Sequence, residues 1–326
     1  MKTPASLLPD LRTLRSRLKL ALANGEAPAR AVKVLARELP RFMSTFPNEI
    51  VTCQLPNGRR RRLFIKYAGN QTHACFGHRG DVAYEVQVYQ RLLRPMPDFR
   101  PRFLGTHTDP QTGDTWLILE YVEGSMRVSD LSFRRSTRQP RALAETACWL
   151  GRFHARQEAR VTEPALSFLK RYEAEYYRAW ARRMFEFSRP LRKDFPWLAR
   201  LQRSGDRWFA PLLDSPPTVV HGEFYAKTVL VRRGRLFMVD WESAAIGAGE
   251  IDLAALTEGK HWRGHIAHKC EQQYQRPLAR RPTSRFPADT RRRSDLPSLS
   301  LAGRAARLDH TPKISLALRP SLCDGE

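Results

Sequence analysis

The sequence predicts an α+β fold in two parts, a small antiparallel sheet followed by a mostly helical half, and three observations predict it. Strand-like runs bounded by turn signals fall in the part of the chain before residue 125, at 49–53, 62–67 and 115–122. Apolar residues at helical spacing take over from residue 141 onward. The helical half is interrupted by one hairpin that ends at Asp240. A chain of 326 residues with 42% hydrophobic composition is long enough to bury one large core or two joined lobes.

Residues 1–40 read as an N-terminal helical extension. After Met1-Lys2-Thr3-Pro4 comes a basic amphipathic helix carrying Leu11, Leu14 and Leu18, without the apolar core and small-residue cleavage site of an export signal. Residues 41–124 read as the sheet lobe. Gln54-Leu55-Pro56-Asn57-Gly58-Arg59 turns the chain between two strands, and the second alternates so that Lys66 shares a face with Phe64. Beyond a loop containing Gly and His, Val82, Val86, Tyr89 and Leu93 fall at helical spacing, on a helix that carries Glu85. Thr115 to Glu123 is a buried-strand run that ends in acids and Gly124.

Residues 125–275 read as the helical lobe. Leu143, Ala147, Leu150 and His154 form one stripe, which makes His154 a packing or loop-bracing residue. A helix rich in aromatic residues follows from Phe168 to Phe187. Then His221-Gly222-Glu223-Phe224-Tyr225-Ala226-Lys227-Thr228 forms a polar loop, Val229 to Val231 leaves it, Arg232-Arg233-Gly234-Arg235 turns, and Leu236 to Val239 delivers Asp240. One hairpin thereby brings together the carboxylates of Glu223 and Asp240. Gly247 to Leu256 starts a further helix in which Asp252 is placed to cap the helix or bond loop backbone. From Arg276 to the end, Pro, Ser and Arg dominate, the bias of a disordered tail.

The His221–Asp240 segment resembles the catalytic loop of the aminoglycoside phosphotransferase and choline kinase family, written H-G-D-x-x-x-x-N and followed by an apolar run ending in Asp. The resemblance extends from about Val34 to Tyr274 and implies a protein-kinase-like two-lobe fold. It implies transfer of the ATP γ-phosphate to a hydroxyl of a small acceptor, with ATP and Mg2+ as cofactors. On that reading Glu223 orients the acceptor hydroxyl and takes its proton, and Asp240 binds magnesium with help from Thr228. Lys66, held by Glu85, meets the phosphates. The backbone of Glu120, Tyr121 and Val122 bonds the adenine edge while Leu119 and Val122 sandwich the ring. No G-x-G-x-x-G occurs, so Ser44 and Thr45, just before the first strand, stand in as the phosphate-covering loop. Two positions depart from the pattern. Glu223 replaces Asp and moves the carboxylate by about an ångström, a displacement that can cost about a hundredfold in rate. Thr228 replaces Asn and is a weaker oxygen donor.

The formal net charge is +23, which favours polyanions in general. Zinc-finger spacing, a K/R-G-F-x-F strand and heptads behind a basic region are all lacking from the sequence, so specific nucleic-acid binding is the lesser reading. A catalytically impaired nucleotide-binding relative is the other alternative. Cys53, Cys75, Cys148, Cys270 and Cys323 are scattered and odd in number, which predicts neither a disulfide framework nor a zinc site and suits a reducing cytoplasm. No segment is apolar enough over a sufficient length to span a membrane. The expected partner is a small hydroxyl-bearing molecule.

Overall fold

Asp10 opens the first helix, α1 (Leu11–Ala23), by accepting the Thr13 backbone N–H at 2.8 Å and the Thr13 hydroxyl at 2.9 Å. Spacing of three and four residues then puts Leu14, Leu18, Ala21 and Leu22 on one buried face. This computed structural model describes residues 8–23, 25, 33–41, 46–68, 81–131, 138–203, 205–258 and 264–278, all within the unit Met1–Arg281. Ser44, Thr45, Cys75, Cys323 and the segment 279–326, for which disorder was expected, lie outside the described residues.

β1 (Lys33–Glu38), β2 (Asn48–Gln54) and β3 (Arg60–Tyr67) lead into α2 (Val82–Gln87), which continues in wider π-helical turns to Leu93. β4 (Phe103–Thr108) and β5 (Thr115–Glu120) complete a five-stranded antiparallel sheet in the order β1-β2-β3-β5-β4. The expectation of a purely helical extension over 1–40 is corrected here. Residues 33–38 form an edge strand, and α1 covers the sheet, packing with Val51, Leu63, Ile65, Leu104 and Ile118. The strand escapes a periodicity reading because it is short, charged and mostly exposed, the usual dress of a sheet edge. Gly105 allows α1 to lie against β4, since a Cβ there would sit 2.0 Å from the Ala21 carbonyl oxygen.

After the two-residue β6 (Met126–Arg127) the helical half begins with α3 (Arg138–Gln157). β7 (Lys170–Arg171), α4 (Ala174–Phe187), α5 (Trp197–Arg203) and α6 (Ala210–Leu213) follow. The aromatic helix therefore starts six residues later than Phe168. Lys170 and Arg171 are drawn into parallel pairing with β11 (Ala245–Ala248), and tertiary pairing overrides local periodicity. Tyr172 and Phe185 are buried, whereas Phe187 is exposed.

β8 (Pro217–Val220) runs into the polar loop, and β9 (Val229–Arg232) pairs with β10 (Arg235–Met238) in register Arg232↔Arg235. Arg233 (φ 48°) and Gly234 (φ 76°) both take positive φ, the signature of a tight two-residue hairpin turn. β11 (Ala245–Ala248), α7 (Glu250–Thr257) and α8 (Gly264–Leu278) close the described chain. α8 carries the helical half past the expected boundary at 275. One apolar core runs from Phe46, Leu117 and Leu119 of the sheet lobe through α2 to Leu150, Phe224 and Trp241, so the two lobes share packing around the loop after β10.

Candidate active site

Lys66 lies near the end of β3, buried, where two lobes meet. Its ammonium donates to Glu85 Oε2 at 2.8 Å, to Asp240 Oδ1 at 2.7 Å and to Glu242 Oε2 at 2.5 Å. Burial alone would depress the ammonium, but the charges of Asp240, Glu85 and Glu242 outweigh it and hold the pKa well above its ordinary value. Burial pushes the Glu242 carboxyl up to about 8; the Lys66 charge opposes that rise, and Asp240 and Glu85 add to it.

Glu85 is fixed from two sides. Its second oxygen, Oε1, accepts the Trp241 backbone N–H at 2.9 Å, so α2 is tied to the residue after Asp240 as well as to Lys66. Asp81 caps α2 by accepting the Tyr84 N–H at 2.7 Å, and the Tyr84 hydroxyl donates to the Ala244 carbonyl at 2.5 Å. Asp240 itself adopts φ 72°, a left-handed backbone that non-glycine residues rarely take. Strain of that kind gathers at functional sites, and here it accompanies an Asp side chain turned onto the lysine.

The carboxylates of Glu85, Asp240 and Glu242 offer oxygens within 4.8 Å of one another. Three carboxylates against one ammonium leave two negative charges when all are ionised. A divalent cation matches that excess, and an all-oxygen donor set is the kind that magnesium takes. Glu242 has no forecast in the sequence beyond its acid-x-acid spacing from Asp240; it meets Lys66 where the shared core packs the two lobes together.

The loop between β8 and β9 is braced from beneath. Asp252, fully buried at the start of α7, accepts the His221 backbone N–H at 2.6 Å through Oδ2 and the Gly222 N–H at 2.9 Å through Oδ1. The carboxylate thus bonds loop backbone. His154 Nε2 also meets Asp252 Oδ2 at 3.3 Å, and His154 Nδ1 meets the Tyr274 hydroxyl at 2.9 Å. His221 carries its ring proton on Nε2, which donates to the Val239 carbonyl at 3.0 Å, because Nδ1 accepts the Glu223 N–H at 3.4 Å. Gly222 takes φ 83°, and a Cβ there would lie 2.2 Å from the Ser243 carbonyl oxygen. Thr228 donates its hydroxyl to the carbonyls of Tyr225 (2.9 Å) and Glu223 (3.1 Å), closing the loop on itself.

Glu223, expected beside Asp240, follows Gly222 and is not among the three acids whose oxygens lie within 4.8 Å of one another. Its charge reaches Tyr176, whose phenol burial first and Glu223 in part push up to about 12. Tyr176 stacks on Tyr172 at 3.8 Å between ring centres, so an aromatic wall adjoins the loop acid.

At the end of β5, Leu119 and Val122 are buried and Tyr121 lies under the Arg62 guanidinium at 4.5 Å. The backbone N–H of Glu120 donates to Arg102, that of Tyr121 to Arg62 and that of Glu123 to Tyr121. Among the described residues the Val122 N–H makes no backbone hydrogen bond.

A lysine of a small sheet, bracketed by a helix glutamate and by the aspartate that ends a hairpin of the helical half, sits where the two lobes of a kinase-like fold meet. The chain belongs to the phosphotransferase enzyme family, whose model matches residues 75–289. That span includes Glu85, the His221 loop and Asp240, whereas Lys66 precedes it. Among solved structures, the chain resembles the gentamicin complex of APH(2'')-IIa at 15% identity and a TM-score of 0.52, over 84% of each chain. An aminoglycoside-3'-phosphotransferase of type VIII is similar at 18% identity and 0.50, over 84% of this chain and 93% of its own. A choline/ethanolamine kinase family protein from Mesorhizobium loti is similar at 16% and 0.50, over 81% and 76%. At these identities the likeness shows the fold. No curated protein matches the chain in sequence.

Proposed function

We propose that the chain transfers the γ-phosphate of ATP to a hydroxyl group of a small molecule. The observation that carries this reading is the Lys66 ammonium held between Glu85 and Asp240 across the two lobes, at 2.8 and 2.7 Å. Phosphoryl transfer asks for placement and charge neutralisation, and a lysine fixed by two carboxylates supplies both to nucleotide phosphates. Asp240 and Glu242 would hold magnesium, which when bound neutralises charge on the phosphates. The Val122 N–H, without a backbone partner among the described residues, faces the role of adenine donor, with Leu119 and Val122 as apolar walls. Glu223 orients the acceptor hydroxyl and takes its proton, beside the Tyr172–Tyr176 stack. Thr228 assists by holding the loop in shape as much as by offering oxygen to a metal. The free thiols of Cys53, Cys148 and Cys270 suit a reducing, cytoplasmic setting, and among the described residues no helix is long and apolar enough to cross a membrane.

A second reading keeps ATP binding and loses turnover. It is favoured by the lengthened Glu223, which lies outside the acidic cluster. Thermal unfolding with ATP, with and without magnesium, separates the readings when repeated for Asp240→Ala and Glu223→Gln. The expected result is a magnesium-dependent ATP shift that disappears in Asp240→Ala and survives in Glu223→Gln, with phosphate transfer lost in both. Equal shifts in the parent and Asp240→Ala would remove the metal role. Magnesium-dependent binding in a parent that transfers no phosphate to any hydroxyl acceptor would select the second reading.

A further inference from the structure

A cavity of about 900 Å³ opens between the segment after α2, the β9–β10 hairpin, α3 and α8. None of its lining residues belongs to the Lys66 bracket, the His221–Thr228 loop or the Leu119–Val122 segment. Its origin is legible on α3. Arg141, Glu145, Cys148, Arg152 and Arg156 recur every three or four residues and so share a face. The small side chains of Ala144 and Cys148 leave room on that face, and Trp149 stands beside them with its ring 4.6 Å from Phe99.

The lining is aromatic below and cationic around the rim. Arg141, Arg152, Arg156, Arg235 and Lys269 face two acids, Asp98 and Glu145. Arg141 pairs with Glu145 at 2.8 Å, and Arg235 donates to the Asp98 carbonyl at 3.2 Å. Arg152, Arg156 and Lys269 form no ion pair among the described residues. Three cations from two helices thus face one volume without an ion-pair partner among the described residues, in a lining whose basic side chains outnumber its two acids. Trp149 also stacks on Phe224, next to Glu223, at 5.9 Å, and Phe99 lies 6.4 Å from Trp241, next to Asp240. The cavity therefore abuts the catalytic loop without sharing a residue with it.

We propose that this cavity is a second ligand site, for an anion that carries a flat apolar body. The edges of Trp149 and Phe99 take the body, since the Trp149 ring already stacks on Phe153 and Phe224, and Arg152, Arg156 and Lys269 take the charge. The site does not rest on the phosphotransfer reading, and its failure would leave that reading untouched.

The test titrates 8-anilinonaphthalene-1-sulfonate into the full chain and follows its fluorescence, with neutral N-phenyl-1-naphthylamine as the comparison. The proteins are the parent, the double variant Arg152→Glu/Arg156→Glu and, from the opposite wall, Lys269→Glu, all exposed side chains whose replacement spares the core. The expected result is one saturable sulfonate site in the parent, weakened about tenfold in each variant and retained in excess Mg-ATP. Equal affinity in the parent and both variants, displacement by Mg-ATP, equal binding of the neutral probe, or no saturable binding to the parent would each overturn the proposal.

Discussion

At Lys66 a buried ammonium meets three carboxylates, and its removal exposes how they are balanced. Lys66→Met keeps the volume but strands Glu85 and Glu242 in the interior. Breaking a buried ion pair from one side costs about 3–5 kcal/mol, so the unfolding free energy extrapolated from urea should fall by that amount, read as a lower midpoint at an unchanged slope. A variant as stable as its parent at pH 8 would mean that the acids do not depend on the lysine. Asp252 makes the same kind of argument for the loop. Asp252→Asn keeps one oxygen for the two backbone donors of His221 and Gly222 and turns an amide toward the other. A buried donor left without an acceptor costs about 1–3 kcal/mol, and the loss should appear both in thermal unfolding and in faster amide exchange at His221 and Gly222. Unchanged exchange at those two amides would show that the loop stands without its brace.

Among the elements, α1 is the one whose role changes most between chain and fold. The sequence reads Leu11, Leu14 and Leu18 as an amphipathic stripe; Leu11 is exposed, Leu22 joins Leu14 and Leu18 in the buried face, and the surface they cover is made by β2 to β5, strands up to about a hundred residues downstream. Leu18→Ala, at a fully buried position, should cost about 2–5 kcal/mol and lower the unfolding midpoint of the whole protein. A loss near zero would make α1 the detachable extension that the sequence suggests. The β9–β10 hairpin behaves in the opposite way. Arg233-Gly234 and the apolar runs on either side fix its turn and register locally, which is why the delivery of Asp240 could be read directly.

On the scale of the molecule, 56 basic against 33 acidic residues make self-repulsion a standing cost of compactness. Raising ionic strength from about 0.02 to 0.2 M shortens the Debye length from roughly 20 to 7 Å, and the thermal midpoint should rise over that range. A flat or falling midpoint would mean that local ion pairs such as Arg178–Asp206, at 2.6 Å, dominate the net field. The sequence by itself determined the α+β order of elements, the His221 loop, the hairpin ending at Asp240, and Lys66 and Glu85 as partners, because each is written in short-range pattern or in a family motif. Tertiary structure alone decided that β1 joins the sheet, that Glu242 meets Lys66 across 176 positions, and which of the two roles left open by the sequence Asp252 and His154 take, the bracing of the loop. The reason is that hydrogen-bond geometry within a turn or strand is set by neighbours in the chain. The meeting of charges from two lobes is set instead by the packing of their shared core around Phe224 and Trp241.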